Sequence, residues 1–193
     1  MLKLLLQLAW EIKAIDTSVL PEQFVVFDLE TTGLDADKHE IIEIAAIKFT
    51  RGQTLQQSFQ GLVKSSKHLP KKIIELTGIT DEMLEKDGGT LQSSIENFAI
   101  FAGDLRLVSF NADFDMAFLQ RAASTCDLPQ FRNPVSCALK MARRAWPKRK
   151  SYRLVDLAKD GQIDEGKAHR ALEDARRALI IYSAAVAQLK VIA

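Results

Sequence analysis

The sequence predicts an α/β fold in which a mixed β-sheet carries helices on its faces. Three apolar segments with strand character come first, at residues 24–30, 41–50 and 53–63. The first is rich in Phe and Val, which is typical of a buried central strand, and Arg51-Gly52 predicts a tight turn between the second and the third. We therefore expect an antiparallel meander, followed by a region in which strands and helices alternate.

Helical signals begin after this meander. Pro70 favours the start of one short helix, and Thr80, followed by two acidic residues, is a typical cap for another. Apolar spacing then predicts helices at residues 91–101, 112–125, 139–146, 152–159 and 168–190, and strands at 105–110 and 135–138.

Length and composition fit one soluble globular domain, with 193 residues of which 47% are hydrophobic and 26% charged. The formal net charge of +1 does not by itself predict a polyanionic partner. The two cysteines, Cys126 and Cys137, lack C-x-x-C spacing. We therefore expect free thiols in a reducing compartment, and hence a cytoplasmic protein.

The amino-terminal stretch MLKLLLQLAW is apolar but too short to cross a bilayer, and Glu11 and Lys13 interrupt the run that follows it. Leucines and isoleucines at helical spacing instead predict an amphipathic helix at residues 2–15, with no association with a membrane. We expect residues 1–22 to form a helical extension and residues 23–193 the main domain. The helix can pack on its own domain, or dock on a protein partner or a second copy of the chain.

Two carboxylates end the first predicted strand, in the stretch FVVFDLETTGL. Asp28 and Glu30 are two residues apart, so a strand directs both side chains to the same face. Like charges this close raise a pKa unless a cation or a shared proton relieves them. Such triplets are common on exposed strands, but this one ends a strand that is otherwise apolar, where ligand sites form in α/β sheets.

A second acidic pair lies in SFNADFDMAFL, at the start of a predicted helix. Acids in a first helical turn complement the helix dipole, and we expect Asp113 to do only that. Asp115 borders the apolar face of the helix, so its carboxylate needs a partner.

The stretch AHRALEDA holds a histidine and an acid five residues apart. In a continuous helix His169 and Asp174 would point about 140° away from each other. A shared cavity therefore requires His169 to lie in a looser segment, which the nearby Gly166 permits. The alternative is a surface histidine without a catalytic role.

In this order, FDLETTG, NADFD and HRALEDA resemble the motifs of the DEDDh 3′–5′ exonucleases, the family of the proofreading epsilon subunit of bacterial DNA polymerase III. The resemblance runs from about Phe24 to about Tyr182. It implies an RNase H-like fold, with a five-stranded mixed sheet flanked by helices, and makes residues 23–193 an exonuclease domain.

The resemblance also implies a catalytic set, in which His169 is the general base. Four acids would bind two divalent cations in each active site, directly or through water, and these are Asp28, Glu30, Asp115 and Asp174. Hard oxygen ligands suit Mg²⁺ or Mn²⁺ rather than zinc. Such a pair of cations promotes the attack of water on a phosphodiester.

Further residues would hold the end of the nucleic acid, again by resemblance. Thr31 and Thr32 would contact the terminal nucleotide, and Ile79 would wedge against the terminal bases. Asn111 would contact the sugar or order the site, and Phe110 stands beside it where many relatives carry histidine. The alternatives are an ordinary Thr-Thr-Gly turn and an ordinary core isoleucine.

A basic stretch without acids runs from Lys140 to Arg153, interleaved with Trp146 and Tyr152. This pattern is typical of a surface that tracks the phosphates of a single strand, and we expect Arg149 and Lys150 to bind the substrate. The alternative is a solvated charged face.

Together these patterns predict a metal-dependent 3′–5′ exonuclease that releases nucleoside monophosphates from a single-stranded DNA 3′ end, in proofreading or repair. One alternative is an RNA exonuclease resembling ribonuclease T or oligoribonuclease. Another is a non-catalytic nucleic-acid-binding module, which should lack at least one of the five catalytic residues, and none is missing.

Overall fold

The computed structural model of the chain describes residues 15–163 and 169–191. The predicted helix at residues 2–15 lies outside these ranges except for its last residue, and so does its expected docking role. The strands are β1 Gln23–Thr31, β2 Ile41–Thr50, β3 Gln57–Leu62, β4 Leu107–Ser109 and β5 Val135–Cys137. The helices are α1 Lys71–Thr77, α2 Asp81–Asp87, α3 Leu91–Ala102, α4 Ala112–Thr125, α5 Ala138–Ala145, α6 Leu154–Asp160 and α7 Ala171–Val191.

The strands form one five-stranded sheet in the order β3-β2-β1-β4-β5. β1, β2 and β3 pair antiparallel, while β4 pairs parallel with β1 and β5 pairs parallel with β4. The predicted mixed sheet with helices on its faces is therefore confirmed. β3 is shorter than expected, because the Gln56 side chain accepts from the Thr50 backbone and donates to Gln53, which turns that segment into part of the loop.

Alternation along β1 divides the core into two layers. Phe24 and Val26 pack with α5, α6 and α7, whereas Val25 and Phe27 pack on the opposite face with α3 and α4. Asp28 and Glu30 continue the even-numbered series, so they point to the face that α7 covers. Because both carboxylates lie on this face, α7 is the helix that can complete a site around them.

Helix α7 is the longest described helix, with 21 residues, and it lies against β1, β2 and α5. Fully buried alanines on its sheet-facing side allow close approach, among them Ala171, Ala175 and Ala178. None of the helices in the described ranges is long and apolar enough to cross a membrane.

The parallel strands β1, β4 and β5 place their carboxyl ends at one edge of the sheet. The loop at residues 32–40, the start of α4 and the start of α5 all lie at this edge, because each follows one of those strands. Ligand sites of α/β sheets form at such edges.

Candidate active site

Three carboxylates meet at this edge of the sheet. One oxygen from each of Asp28, Glu30 and Asp174 lies within 4.8 Å of the other two. The first two come from the same face of β1, and a shift of the β1–β2 register directly follows Glu30. Asp174 comes from the first turn of α7. Residues far apart in the sequence are thus brought together by the packing of α7 on β1.

The fourth predicted acid, Asp115, is buried in the first turn of α4 and is not part of that compact group. The Ser109 hydroxyl donates to its carboxylate, and a backbone hydrogen bond ties it to Leu29, between the two acids of β1. Its charge acts on the neighbouring Asp28, so Asp115 lies at the edge of the same cluster.

Burial opposes the ionisation of Asp28, Glu30 and Asp115, and repulsion from neighbouring acids adds to this effect at Asp28 and Glu30. Burial first, and then the charges of Asp115 and Asp174, raise the pKa of Asp28 well above its ordinary value. Burial and the Asp174 charge raise the pKa of Glu30 to about 8, and burial raises that of Asp115 to about 7. A divalent cation would relieve this repulsion, and the all-oxygen donor set fits Mg²⁺ or Mn²⁺.

His169 lies just before α7, which begins at Ala171. Its backbone is in the left-handed region, with φ of 63°, so it leaves the helical path as the sequence requires. Its backbone N–H donates to Asp174 Oδ2 at 3.0 Å, and its side chain is half-buried. The histidine and the acid are therefore linked directly, through the backbone of one and the carboxylate of the other.

A fifth carboxylate, Glu43 on β2, was not among the predicted site residues. It is completely buried, lies opposite Glu30 in the β1–β2 register and forms an ion pair with Arg170. The sequence does single this residue out, since Glu43 is the only acid in the apolar stretch IIEIAAIKFT. Arg177 was also missed, and its guanidinium donates to Asp174 Oδ1 at 2.5 Å.

The Thr-Thr-Gly turn is held by its own hydrogen bonds. The Thr31 hydroxyl donates to the Gly33 carbonyl at 2.7 Å, and the Thr32 hydroxyl accepts from the Glu40 backbone at 3.0 Å. A methyl group on Gly33 would come within 2.5 Å of the His39 ring, and this exposed side chain would have to move away. Both hydroxyls thus have a structural role, and the loop lies at the edge of the site.

The remaining predicted contacts of the terminal nucleotide differ in exposure. Ile79 is completely buried in a small core cluster with Ile42 and Leu84, so its side chain has no surface to offer to a base. Phe110 is half-buried against the α7 side of the core, and Asn111 is exposed at the start of α4.

The basic stretch is only partly free to bind a ligand. Arg149 is ion-paired with Asp160, whereas Lys150 is exposed. Lys140 pairs with Asp113 at 2.8 Å, so Asp113 does more than complement the helix dipole. Arg144 is exposed one turn after Lys140, on the helix that begins at the site edge of β5.

The chain matches the family model described as "Exonuclease" over residues 25–182. It is 41% identical to DNA polymerase III PolC-type of Halalkalibacterium halodurans over 157 residues, which are 81% of this chain and 11% of that protein. It is 35% identical to DNA polymerase III subunit epsilon of Aquifex aeolicus over 158 residues, 82% of this chain and 77% of that protein.

Among solved structures, exonuclease X in complex with 5′-overhanging duplex DNA superposes with a TM-score of 0.65 at 25% identity, covering 82% of this chain and 90% of that one. The chain thus spans about three quarters of the epsilon subunit but only about a tenth of the PolC-type polymerase.

The raised pKa values predict that the metal-free protein loses stability as pH rises. Glu30 keeps its proton in the folded state up to about pH 8 but releases it near 4.5 when unfolded. Glu30 therefore contributes its full stabilisation of the folded state below about pH 4.5, and this stabilisation is lost as the pH rises through about 8. In chelator, the melting temperature should fall by at least about 5 °C between about pH 5 and about pH 8.5.

Differential scanning fluorimetry in EDTA measures this fall, and Mn²⁺ should raise the melting temperature most at the alkaline end. Glu30→Gln is the matched control, since it removes one titrating group and should flatten the curve. A melting temperature in EDTA that rises over this range, or a Glu30→Gln curve as steep as that of the wild type, would contradict the interpretation.

Proposed function

Since this chain belongs to the DEDDh 3′–5′ exonuclease family, we propose that it removes nucleoside monophosphates from the 3′ end of DNA with the help of divalent cations. The observation that carries the proposal is the group of Asp28, Glu30 and Asp174, whose oxygens lie within 4.8 Å of one another with Asp115 beside them. A soluble domain rarely buries that many acids without a cation.

The four acids Asp28, Glu30, Asp115 and Asp174 would hold two Mg²⁺ or Mn²⁺ ions. When bound, the ions would acidify a water molecule and neutralise charge on the leaving oxygen. The chain's own residues supply the setting for this chemistry. Ser109 fixes the Asp115 carboxylate, and Arg177 and the His169 backbone fix both oxygens of Asp174.

His169 is the proposed general base, since a neutral imidazole can accept the proton of the attacking water. Its link to Asp174 supports this role, because the hydrogen bond fixes the backbone that carries the imidazole next to one of the acids. The half-buried side chain keeps the access to solvent that proton release requires.

DNA is the proposed substrate because the two similar proteins are a PolC-type and an epsilon subunit of DNA polymerase III, and exonuclease X was solved with DNA. The same relatives support a role in proofreading or repair. We propose residues 23–193 as the exonuclease domain, in line with the family match over residues 25–182.

The direct test is a cleavage assay that compares two acids of the same helical turn. With 5′-labelled single-stranded DNA, duplex DNA and RNA, the wild type should give a ladder shortening from the 3′ end in Mg²⁺ or Mn²⁺, but not in EDTA. Asp115→Asn should slow the ladder by more than about 100-fold, since loss of a ligand exceeds the effect of its supporting residues. Asp113→Asn, an exposed acid two residues earlier, should stay within about threefold.

A ladder that survives in Asp115→Asn would refute the metal-dependent mechanism at this site. Faster cleavage of RNA than of DNA, with the same metal dependence, would keep the mechanism and assign RNA as the substrate.

Phosphate contacts are proposed for the basic surface of α5 and the segment after it, where Arg144 and Lys150 are exposed. Arg144→Gln should weaken binding of single-stranded DNA by about three- to tenfold at low salt, with the turnover rate nearly unchanged. It should also lower the salt dependence of binding by about one counterion. Fluorescence anisotropy in EDTA at several salt concentrations measures the binding affinity and its salt dependence.

Arg132→Gln is the control for this experiment, because Arg132 is exposed just before β5, at the opposite edge of the sheet. If Arg132→Gln weakens the binding of single-stranded DNA as much as Arg144→Gln does, α5 is not part of the binding surface.

A further inference from the structure

We infer that Glu43 and Arg170 form a positioning pair, which holds the start of α7, and with it His169 and Asp174, against the carboxylates of β1. The inference rests on the proposed function. It concerns two residues that lie behind the metal-binding acids and need not touch substrate.

Glu43 is surrounded by hydrogen-bond donors. Its Oε1 accepts from Arg170 Nη2 at 3.0 Å and from Gln60 Nε2 at 2.9 Å. Its Oε2 accepts from Arg170 Nε at 3.3 Å and from the Ala171 backbone N–H at 3.1 Å. The carboxylate thus joins three elements: β2, which carries it, β3 and the start of α7.

The contact with Ala171 makes Glu43 a cap for α7 that is supplied by another strand. The first N–H groups of a helix have no partner within the helix, and a side chain just before the helix normally accepts from one of them. Here that position is Arg170, whose carbonyl accepts the N–H of Asp174 but whose side chain can only donate. Glu43 supplies the missing acceptor and also binds the guanidinium.

The location of this cap connects it to the chemistry. Glu43 is paired with Glu30 in the β1–β2 register, so the two side chains lie beside each other on the face that α7 covers. Arg170 stands between His169 and Ala171, and the His169 backbone is tied onward to Asp174. Fixing Arg170 and Ala171 to β2 therefore fixes the histidine and the acid relative to β1.

Stability alone is a weak reason for this pair. A buried ion pair seldom stabilises a fold more than apolar residues of the same volume would, because desolvation offsets the attraction. The Glu43 side chain is completely buried, whereas that of Arg170 is 31% exposed. Most of the desolvation penalty therefore comes from the carboxylate. Its charge also adds to the repulsion that raises the pKa of Glu30. A positioning role explains why an acid is kept at that place.

The test uses Arg170→Gln, Glu43→Gln and the double variant, at a temperature at which all are folded. We expect each single variant to lower the turnover number on single-stranded DNA by at least about tenfold, with KM within about threefold. Mn²⁺ affinity, measured by electron paramagnetic resonance without DNA, should fall by about tenfold, because Asp174 is no longer fixed. The double variant should be no worse than the poorer single one.

Gln60→Leu is the matched control, since it removes a hydrogen bond to the same carboxylate from β3 and leaves the α7 contacts in place. It should keep both the turnover number and the Mn²⁺ affinity within about threefold. Arg170→Lys, which keeps the charge, should recover part of the loss.

A lower melting temperature with unchanged turnover and Mn²⁺ affinity would overturn the inference and leave the pair a structural role only. If Glu43→Gln does not fold, Arg170→Gln decides, because Arg170 lies at the rim of the site. If the wild type degrades no nucleic acid, the proposed function fails, and the Mn²⁺ comparison between wild type and Arg170→Gln still decides for or against the pair.

Discussion

Repulsion among buried carboxylates is the constraint on which this structure depends. Asp28, Glu30 and Asp174 are held close together, the first half-buried and the other two buried, with the buried Asp115 next to them. Burial raises the pKa values of Asp28, Glu30 and Asp115, and neighbouring charges raise those of Asp28 and Glu30 further, to about 8 for Glu30. The fold therefore supports an arrangement that is unfavourable by itself, and a bound divalent cation would make it favourable.

Much of the fold follows from patterns that are local in sequence. Alternation and apolar runs identified β1 and β2, and Thr80 caps α2 as predicted, through a side-chain bond to the Met83 backbone. Helical spacing predicted α4 to the residue. β3 was overestimated because the Gln56 side chain, which looks like part of a strand in the sequence, bonds back to Thr50 and closes a loop.

The candidate site could be predicted only where its residues form motifs. The spacing of Asp28 and Glu30 predicts that a strand directs both to one face. The five-residue spacing of His169 and Asp174 predicts that His169 lies outside the helix if the two share a cavity. Glu43 and Arg170 could not be paired in this way, because they are 127 residues apart and meet only when α7 packs across β2. The core position of Ile79, which the sequence left open, has a similar origin, since Ile79 packs in a cluster that includes Ile42 of β2.

The most direct measurement of the central claim is the number of protons released when Mn²⁺ binds. Calorimetric titrations of the metal-free protein at about pH 6.5, in buffers of different ionisation enthalpy, give this number. Because the pKa of Glu30 is about 8 and that of Asp115 about 7, Mn²⁺ should displace at least about one proton per chain, and Asp28→Asn should weaken binding strongly. Binding without proton release, or with an affinity unchanged in Asp28→Asn, would contradict the claim that this carboxylate cluster is a cation site.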